Sequence, residues 1–133
     1  MHASPPRLVL IIDGEPDIGA LIADVLETEG YIPHVVETGG DALNLLATIR
    51  PHLILLSLNV AGLPGEQLLS MFRAMPATTA IPIVALTAHS TIPARVHRQA
   101  TATLTKPFNL EDLIAVTARA LCTNTPQERT IGE

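Results

Sequence analysis

A single α/β domain on a doubly wound, five-stranded parallel sheet is the fold this sequence predicts, and three observations predict it. Short apolar runs of strand length alternate five times with longer segments whose apolar residues recur at helical spacing, the rhythm of strands joined by crossover helices. The composition is 47% hydrophobic but only 2% aromatic, with no Trp, so Leu, Ile, Val and Ala must fill the interior, as in sheets covered on both faces. At 133 residues the chain can bury one core and is too short for two ordinary domains.

The first strand is expected from Arg7 to Asp13. Pro16 then stands near a helix start, Ile18, Leu21, Ile22, Val25 and Leu26 follow at helical spacing, and Gly30 ends the helix in the manner of a C-cap. The second strand, Tyr31 to Val36, leads through Gly39-Gly40 into a helix with Leu43, Leu46 and Ile49 on one face and Pro51 as its stop. His52 to Ser57 is the third strand, apolar from Leu53 to Leu56 as a strand buried on both faces should be. A Gly62-Leu63-Pro64-Gly65 turn precedes a helix with Leu68, Leu69 and Phe72 inward and Met75-Pro76 at its end. The fourth strand is Ile81 to Thr87, after which Pro93 opens a helix that must be short, because the fifth strand begins near Ala102. Lys106-Pro107 makes a turn, Asn109 is a good N-cap with Asp112 at the third helical position, and Leu110, Leu113, Ile114 and Leu121 form the stripe of the last helix. Residues 1–6 and 123–133 are expected to be disordered ends around a domain spanning 7–122.

With no repeat or linker, right-handed crossovers favour the flavodoxin-like strand order 2-1-3-4-5. Ligands of such sheets bind beyond the carboxyl ends of the strands, next to the switch between the first and third strands. Asp13, Ser57, Thr87 and Lys106 all fall at those ends.

Charge and composition narrow the function classes. A formal net charge of -5 with scattered cations offers no basic field for phosphates or anionic lipid, so neither nucleic-acid nor membrane binding is expected. Cys122 is the only cysteine, which rules out an intrachain disulfide and fits a reducing cytoplasm. No stretch approaches the roughly 20 apolar residues of a membrane-spanning helix, and Met1 to Pro6 lacks the pattern of a secretory signal.

The strand-end segments carry a resemblance. Ile11-Ile12-Asp13-Gly14-Glu15-Pro16, Leu55-Leu56-Ser57-Leu58-Asn59, Ala85-Leu86-Thr87-Ala88 and Leu104-Thr105-Lys106-Pro107-Phe108 together resemble the response-regulator receiver domain, over about Arg7 to Leu121. The resemblance implies that Asp13 matches the first of two magnesium-holding acids and that Gly14 replaces the second. Ser57 stands where the family carries its phospho-accepting aspartate, while Thr87 and Lys106 match the hydroxyl and the lysine that contact the phosphoryl group. A proline and an aspartate habitual downstream of the acceptor read Ala61 and Pro64, and the aromatic switch position falls on Thr103.

In the family, a carboxylate attacks a phosphoryl group while magnesium, a hydroxyl and an ammonium neutralise the moving charge. A serine hydroxyl is neutral near pH 7, reaches less far and needs a base, so Ser57 is no simple substitute. The resemblance therefore implies a degenerate pocket of Asp13, Gly14, Glu15, Ser57, Asn59, Thr87, Thr103 and Lys106, with Asp13, Glu15 and a backbone carbonyl of Asn59 as candidates for a weak or lost magnesium site. Lys106 is expected to act structurally, neutralising Asp13.

Other chemistries fit less well. A serine-hydrolase elbow needs small glycines around its nucleophile, whereas Leu56, Leu58 and Asn59 flank Ser57, and neither His34, His52 nor His89 is tied to it by a motif. The five histidines show no metal-ligand spacing, and the acidic, proline-stiffened Gly14-Glu15-Pro16 does not cradle a nucleotide phosphate. The expected function is a non-enzymatic, cytoplasmic pseudo-receiver without a cofactor, acting in two-component signalling through contact with a sensor histidine kinase or another signalling protein. A second copy of the chain belongs to the same class of expected partner; phosphorylation at Ser57 or a neighbouring acid such as Asp13 or Glu15, and small-ligand or anion binding near Lys106, are the alternatives.

Overall fold

A computed structural model describes residues 5–60, 62–88 and 92–122. Five strands and five helices alternate along the chain: β1 (Leu8–Ile12), α1 (Pro16–Thr28), β2 (Ile32–Val36), α2 (Gly39–Leu46), β3 (Leu53–Ser57), α3 (Gly65–Ala74), β4 (Ile83–Thr87), α4 (Ala94–Gln99), β5 (Ala102–Thr105) and α5 (Leu110–Cys122). All pairings are parallel, and the order is β2-β1-β3-β4-β5, the doubly wound arrangement expected.

Side chains alternate between the faces of a strand, which divides the core in two. Val9, Ile11, Leu53, Leu55, Val84 and Leu86 meet Ile22 and Leu26 of α1 and Leu113, Val116, Ala120 and Leu121 of α5. The intervening Leu10, Ile12, Ile54, Leu56, Ile83 and Ala85 meet α2, α3 and α4 through Ala42, Leu46, Leu68, Leu69, Phe72 and Val96. β3 and β4 are buried throughout, whereas β2 lies at the sheet edge with Ile32 and Val35 exposed.

Several boundaries differ from the sequence expectation. Arg7, Tyr31, His52 and Ile81 precede their strands, and Asp13 follows β1. Pro51 is not what stops α2: the helix closes at Leu46, the next amides tighten onto Asn44 and Leu45, and the Arg50 guanidinium donates to the carbonyls of Leu46 and Ile49. Ile49 thus lies beyond the helix face assigned to it. Leu21 and Leu110 are exposed, because the faces of α1 and α5 that meet the sheet run through Gly19, Ile22 and Leu26 and through Leu113, Val116, Thr117, Ala120 and Leu121.

Gly39 and Gly40 open α2 rather than precede it, because Thr38, not singled out from sequence, supplies its N-cap; the other local signals act as expected. Thr38 accepts from the Asp41 amide at 3.0 Å, and Asn109 Oδ1 accepts from the Asp112 amide at 2.7 Å, each capping a helix. Gly62 has a positive φ of 89°, a turn conformation that costs a glycine little. Met75 is extended before Pro76, as a residue preceding proline prefers, and α3 ends there. The fourth helix is six residues long, short as anticipated. The expected disordered ends lie, but for Pro5 and Pro6, outside the described residues, as do Ala61 and His89.

Candidate functional site at the carboxyl ends of the strands

Four neighbouring strands, β1, β3, β4 and β5, bring residues at or just past their carboxyl ends together. Asp13 leaves β1 with its amide on the Val36 carbonyl at 3.1 Å and its carboxylate wholly buried. Ser57 is the last residue of the buried β3, and Thr87 the last of β4. Lys106 leaves β5 with its amide on the Thr87 carbonyl at 2.6 Å, just before a cis bond to Pro107.

The Lys106 ammonium is the centre of the site. Its Nζ donates to Asp13 Oδ2 at 3.0 Å, to Ser57 Oγ at 3.1 Å and to Glu15 Oε1 at 3.2 Å. The two carboxylates differ in setting: the Asp13 side chain is 0% exposed, that of Glu15 54%, and the lysine between them 12%. Asp13 Oδ1 accepts the Glu15 amide at 2.9 Å, so both oxygens of the buried carboxylate are engaged. Ser57 Oγ also accepts the Asn59 amide at 3.3 Å.

Most residues singled out from sequence meet here, with changed roles. Asp13, Glu15, Ser57 and Lys106 form one network that contains the expected Lys106–Asp13 pair, with Asp13 fully buried. Asn59 takes part through its backbone N–H, and its side chain is exposed. Thr87 is buried beside the network and linked to it through its carbonyl. Gly14 contributes no side chain, and Thr103 sits in mid-strand opposite Ala85, while Thr87 pairs with Thr105.

These residues do not fit the magnesium ion that the resemblance implies. Magnesium needs hard oxygen ligands in near-octahedral array, but Asp13 has both oxygens committed, Gly14 offers none and an ammonium occupies the space between the acids. Among the described residues no group of three or more His, Cys, Asp or Glu is placed to hold a metal.

Among the described residues no base is placed against the Ser57 hydroxyl. Ser57 Oγ receives two hydrogen bonds, one from a cation that faces two carboxylates and so is no proton acceptor. His52 accepts from the Leu8 amide at 3.0 Å at the opposite end of the sheet, and His34 is an exposed side chain of the edge strand.

A parallel β2-β1-β3-β4-β5 sheet with acid, hydroxyl and lysine at the strand ends is the arrangement to which known proteins can be compared, and residues 9–118 match the family described as response regulator receiver domain. The chain belongs to that family. It is 37% identical over 118 residues to the nitrogen assimilation regulatory protein NtrX of Azorhizobium caulinodans, covering 85% of this chain and 26% of NtrX. It is 31% identical over 110 residues to the DNA-binding response regulator MtrA of Mycolicibacterium smegmatis, covering 80% and 47%. The receiver thus spans a quarter to a half of the length of these relatives. Among solved structures, the chemotaxis response regulator CheY4 of Vibrio cholerae superposes with a TM-score of 0.80 at 25% identity, over 87% of this chain and 99% of that one. No helix among the described residues is long and apolar enough to cross a membrane.

Sequence inspection missed a second feature of this receiver, an arginine clamp on α4. Arg73 on α3 donates through Nε to the Gln99 carbonyl at 2.7 Å and through Nη1 to the carbonyls of Ile81 at 2.7 Å and Thr79 at 3.2 Å. Ser70 joins Gln99 Oε1 at 3.0 Å, and Arg95 pairs with Glu66 at 2.8 Å. Both ends of the short α4 are thereby tied to α3. Burial pushes the Arg73 guanidinium below its usual value, and the arrangement of several acceptors around it compensates by hydrogen bonding. One arginine on an amphipathic helix gives no sign in sequence of which carbonyls it will meet.

Proposed function

We propose that this receiver is a pseudo-receiver: a non-enzymatic, cytoplasmic module of two-component signalling that works through protein contacts and does not depend on phosphorylation. The observation that supports the reading is the setting of Ser57, buried at the end of β3 with its Oγ accepting from Lys106 and the Asn59 amide, at the position that the family resemblance matches to the phospho-acceptor. A buried neutral hydroxyl that has no proton acceptor among the described residues is a poor nucleophile. The committed oxygens of Asp13 and the missing carboxylate at Gly14 support the same reading, because transfer through a carboxylate depends on the cation that neutralises the moving charge.

In this reading Lys106 has changed from a phosphate contact into a structural counter-ion for Asp13. A sensor histidine kinase or another signalling protein remains the expected class of partner, and a second copy of the chain is an outcome the test below does not depend on.

Intact-mass analysis after incubation with magnesium and acetyl phosphate tests the reading, run beside the Ser57→Asp/Gly14→Asp variant. The expected result is an unchanged mass for the natural sequence and a phosphoryl-sized increase for the variant. A phosphoryl group on the natural protein, mapped to Ser57, Asp13 or Glu15, refutes it.

A further inference from the structure

We propose that the outer edge of β2 docks an extended, basic segment of another protein, which adds to the sheet as a sixth strand. The surface runs along the side of the sheet rather than at its carboxyl end, so the inference stands whether or not the Lys106 site accepts phosphate.

Backbone direction makes this edge receptive. In the order β2-β1-β3-β4-β5, β2 has a neighbour on one side only. The Ile32 amide donates to the Arg7 carbonyl at 2.9 Å, and the Val36 carbonyl accepts the Asp13 amide at 3.1 Å. Successive residues of a strand turn their main-chain groups to opposite sides, so Ile32, His34 and Val36 face β1 while Pro33 and Val35 face outward. Pro33 has no N–H, which suits an edge and not a central strand. The edge therefore presents the carbonyls of Pro33 and Val35 and the amide of Val35, which an added strand meets with two N–H groups and one C=O.

The side chains favour an apolar guest on both faces. Four large apolar side chains are exposed among the described residues, and two of them are on β2: Ile32, 46% exposed, and Val35, 39%. Ile32 is uncovered because α2 ends at Leu46, and the core on that face takes in Val36 but not Ile32. Val35 rests one side on Gly19 of α1, where an added Cβ would come within 2.9 Å of its Cγ1, and leaves the other side open. Covering such surface beside a new backbone ladder is favourable.

Charge selects the guest. Glu27 and Glu29 at the end of α1, Glu37 directly after β2 and Asp41 in the first turn of α2 are all exposed around the edge, and Arg7 offsets Glu29 at Tyr31. The surplus is acidic, so Lys or Arg at the ends of the added strand would meet opposite charge. A second copy of the chain would instead bring these acids against one another, between molecules of net charge -5.

An NMR titration of the ¹⁵N-labelled full chain with acetyl-Lys-Val-Thr-Val-Lys-amide tests the proposal, with acetyl-Glu-Val-Thr-Val-Glu-amide in parallel. Saturable shifts at Ile32, His34 and Val35 are expected with the lysine peptide and none with the glutamate peptide. At saturation the Val35 amide should exchange with solvent about tenfold more slowly, since an open N–H has become a ladder hydrogen bond. Glu37→Lys should weaken binding about threefold, the order of an exposed ion pair. Val35→Pro removes the outward amide and should abolish binding. Ile32→Lys, at a position exposed enough to leave folding intact, tests the same edge should Val35→Pro not fold, and should weaken binding about tenfold through loss of an aliphatic contact. The proposal is overturned if the lysine peptide gives no saturable shift, if the glutamate peptide reproduces it, if Val35 exchange is unaltered at saturation, or if a folded variant binds as the natural protein does. Protection of the Val35 amide that rises with protein concentration, without peptide, also overturns it by making a second copy the occupant.

Discussion

Replacing Lys106 by methionine isolates the ammonium from the stem that carries it. Met keeps nearly the same length and apolar body, so the substitution removes charge and donors with little change in packing. Asp13, 0% exposed, then keeps only the Glu15 amide on Oδ1 and loses its 3.0 Å ion pair on Oδ2, while Ser57 keeps only the Asn59 amide. Removing one partner of a buried ion pair costs about 3–5 kcal/mol. Because one carboxylate oxygen retains its donor and the site opens to a cleft, the low end, about 3 kcal/mol, is expected. Loss of the exposed Glu15 pair adds at most about 1 kcal/mol.

Urea unfolding followed by far-UV circular dichroism measures this as a lower midpoint at unchanged slope. The Asp13→Asn/Lys106→Met double variant removes the orphaned charge and should return to within about 1 kcal/mol of the natural protein, since replacing both members of a buried pair is often near neutral. A loss below about 1 kcal/mol for Lys106→Met, the size of a surface pair, or a double variant no more stable than the single one, would show that Lys106 does not hold Asp13 in the fold.

Three other predictions follow from local geometry. Gly65→Ala should destabilise by about 2–3 kcal/mol through overpacking, because an added Cβ would lie 2.8 Å from both the carbonyl carbon and oxygen of Leu58; Gly40→Ala in α2, with nothing nearer than 4.0 Å, is the control and should be neutral or stabilising in the same urea assay. Arg73→Ala should cost about 2–3 kcal/mol by leaving the Gln99 and Ile81 carbonyls without their donor, with faster hydrogen exchange across α4, and Arg73→Lys should recover only part because one ammonium cannot span both. Burial, with Glu29 second, holds the hydroxyl of Tyr31 above its usual 10.0, so the folded state retains a proton that the unfolded chain releases, and the contribution is full below pH 10 and lost as pH rises through the folded value. Tyr31 is the only tyrosine, so tyrosinate absorbance should rise at higher pH in native than in urea-unfolded protein, and coincident curves would contradict this.

The fold was legible in sequence where the signal is local. Leu53 to Leu56 could be recognised as a buried strand and Leu68, Leu69 and Phe72 as an inward helix face because burial imposes periods of 2 and 3.6 on neighbouring residues. Pro16, Asn109 and the Gly62 turn mark boundaries through backbone chemistry that the residues carry with them. Of the misjudged residues, Ile49 lies past the end of α2, Leu110 at the first position of α5 and Leu21 on the outer side of mid-α1, and spacing alone does not say which neighbour will cover them. That the strand ends would meet was likewise readable, since strand order follows from crossover handedness.

What the tertiary structure alone decided is how the meeting residues are paired. Lys106 and Asp13 are 93 positions apart, Lys106 and Ser57 49, and no local periodicity couples such partners. The same holds for the Arg73 clamp, the backbone of Leu58 against Gly65, and the apolar cleft that Leu21 and Phe108 share. Residue types and spacing determined that an acid, a serine and a lysine would reach one end of a parallel sheet. Packing of the sheet and helices determined that the lysine would lie between two carboxylates of unequal burial, because distances between remote side chains are set by the closed fold as a whole.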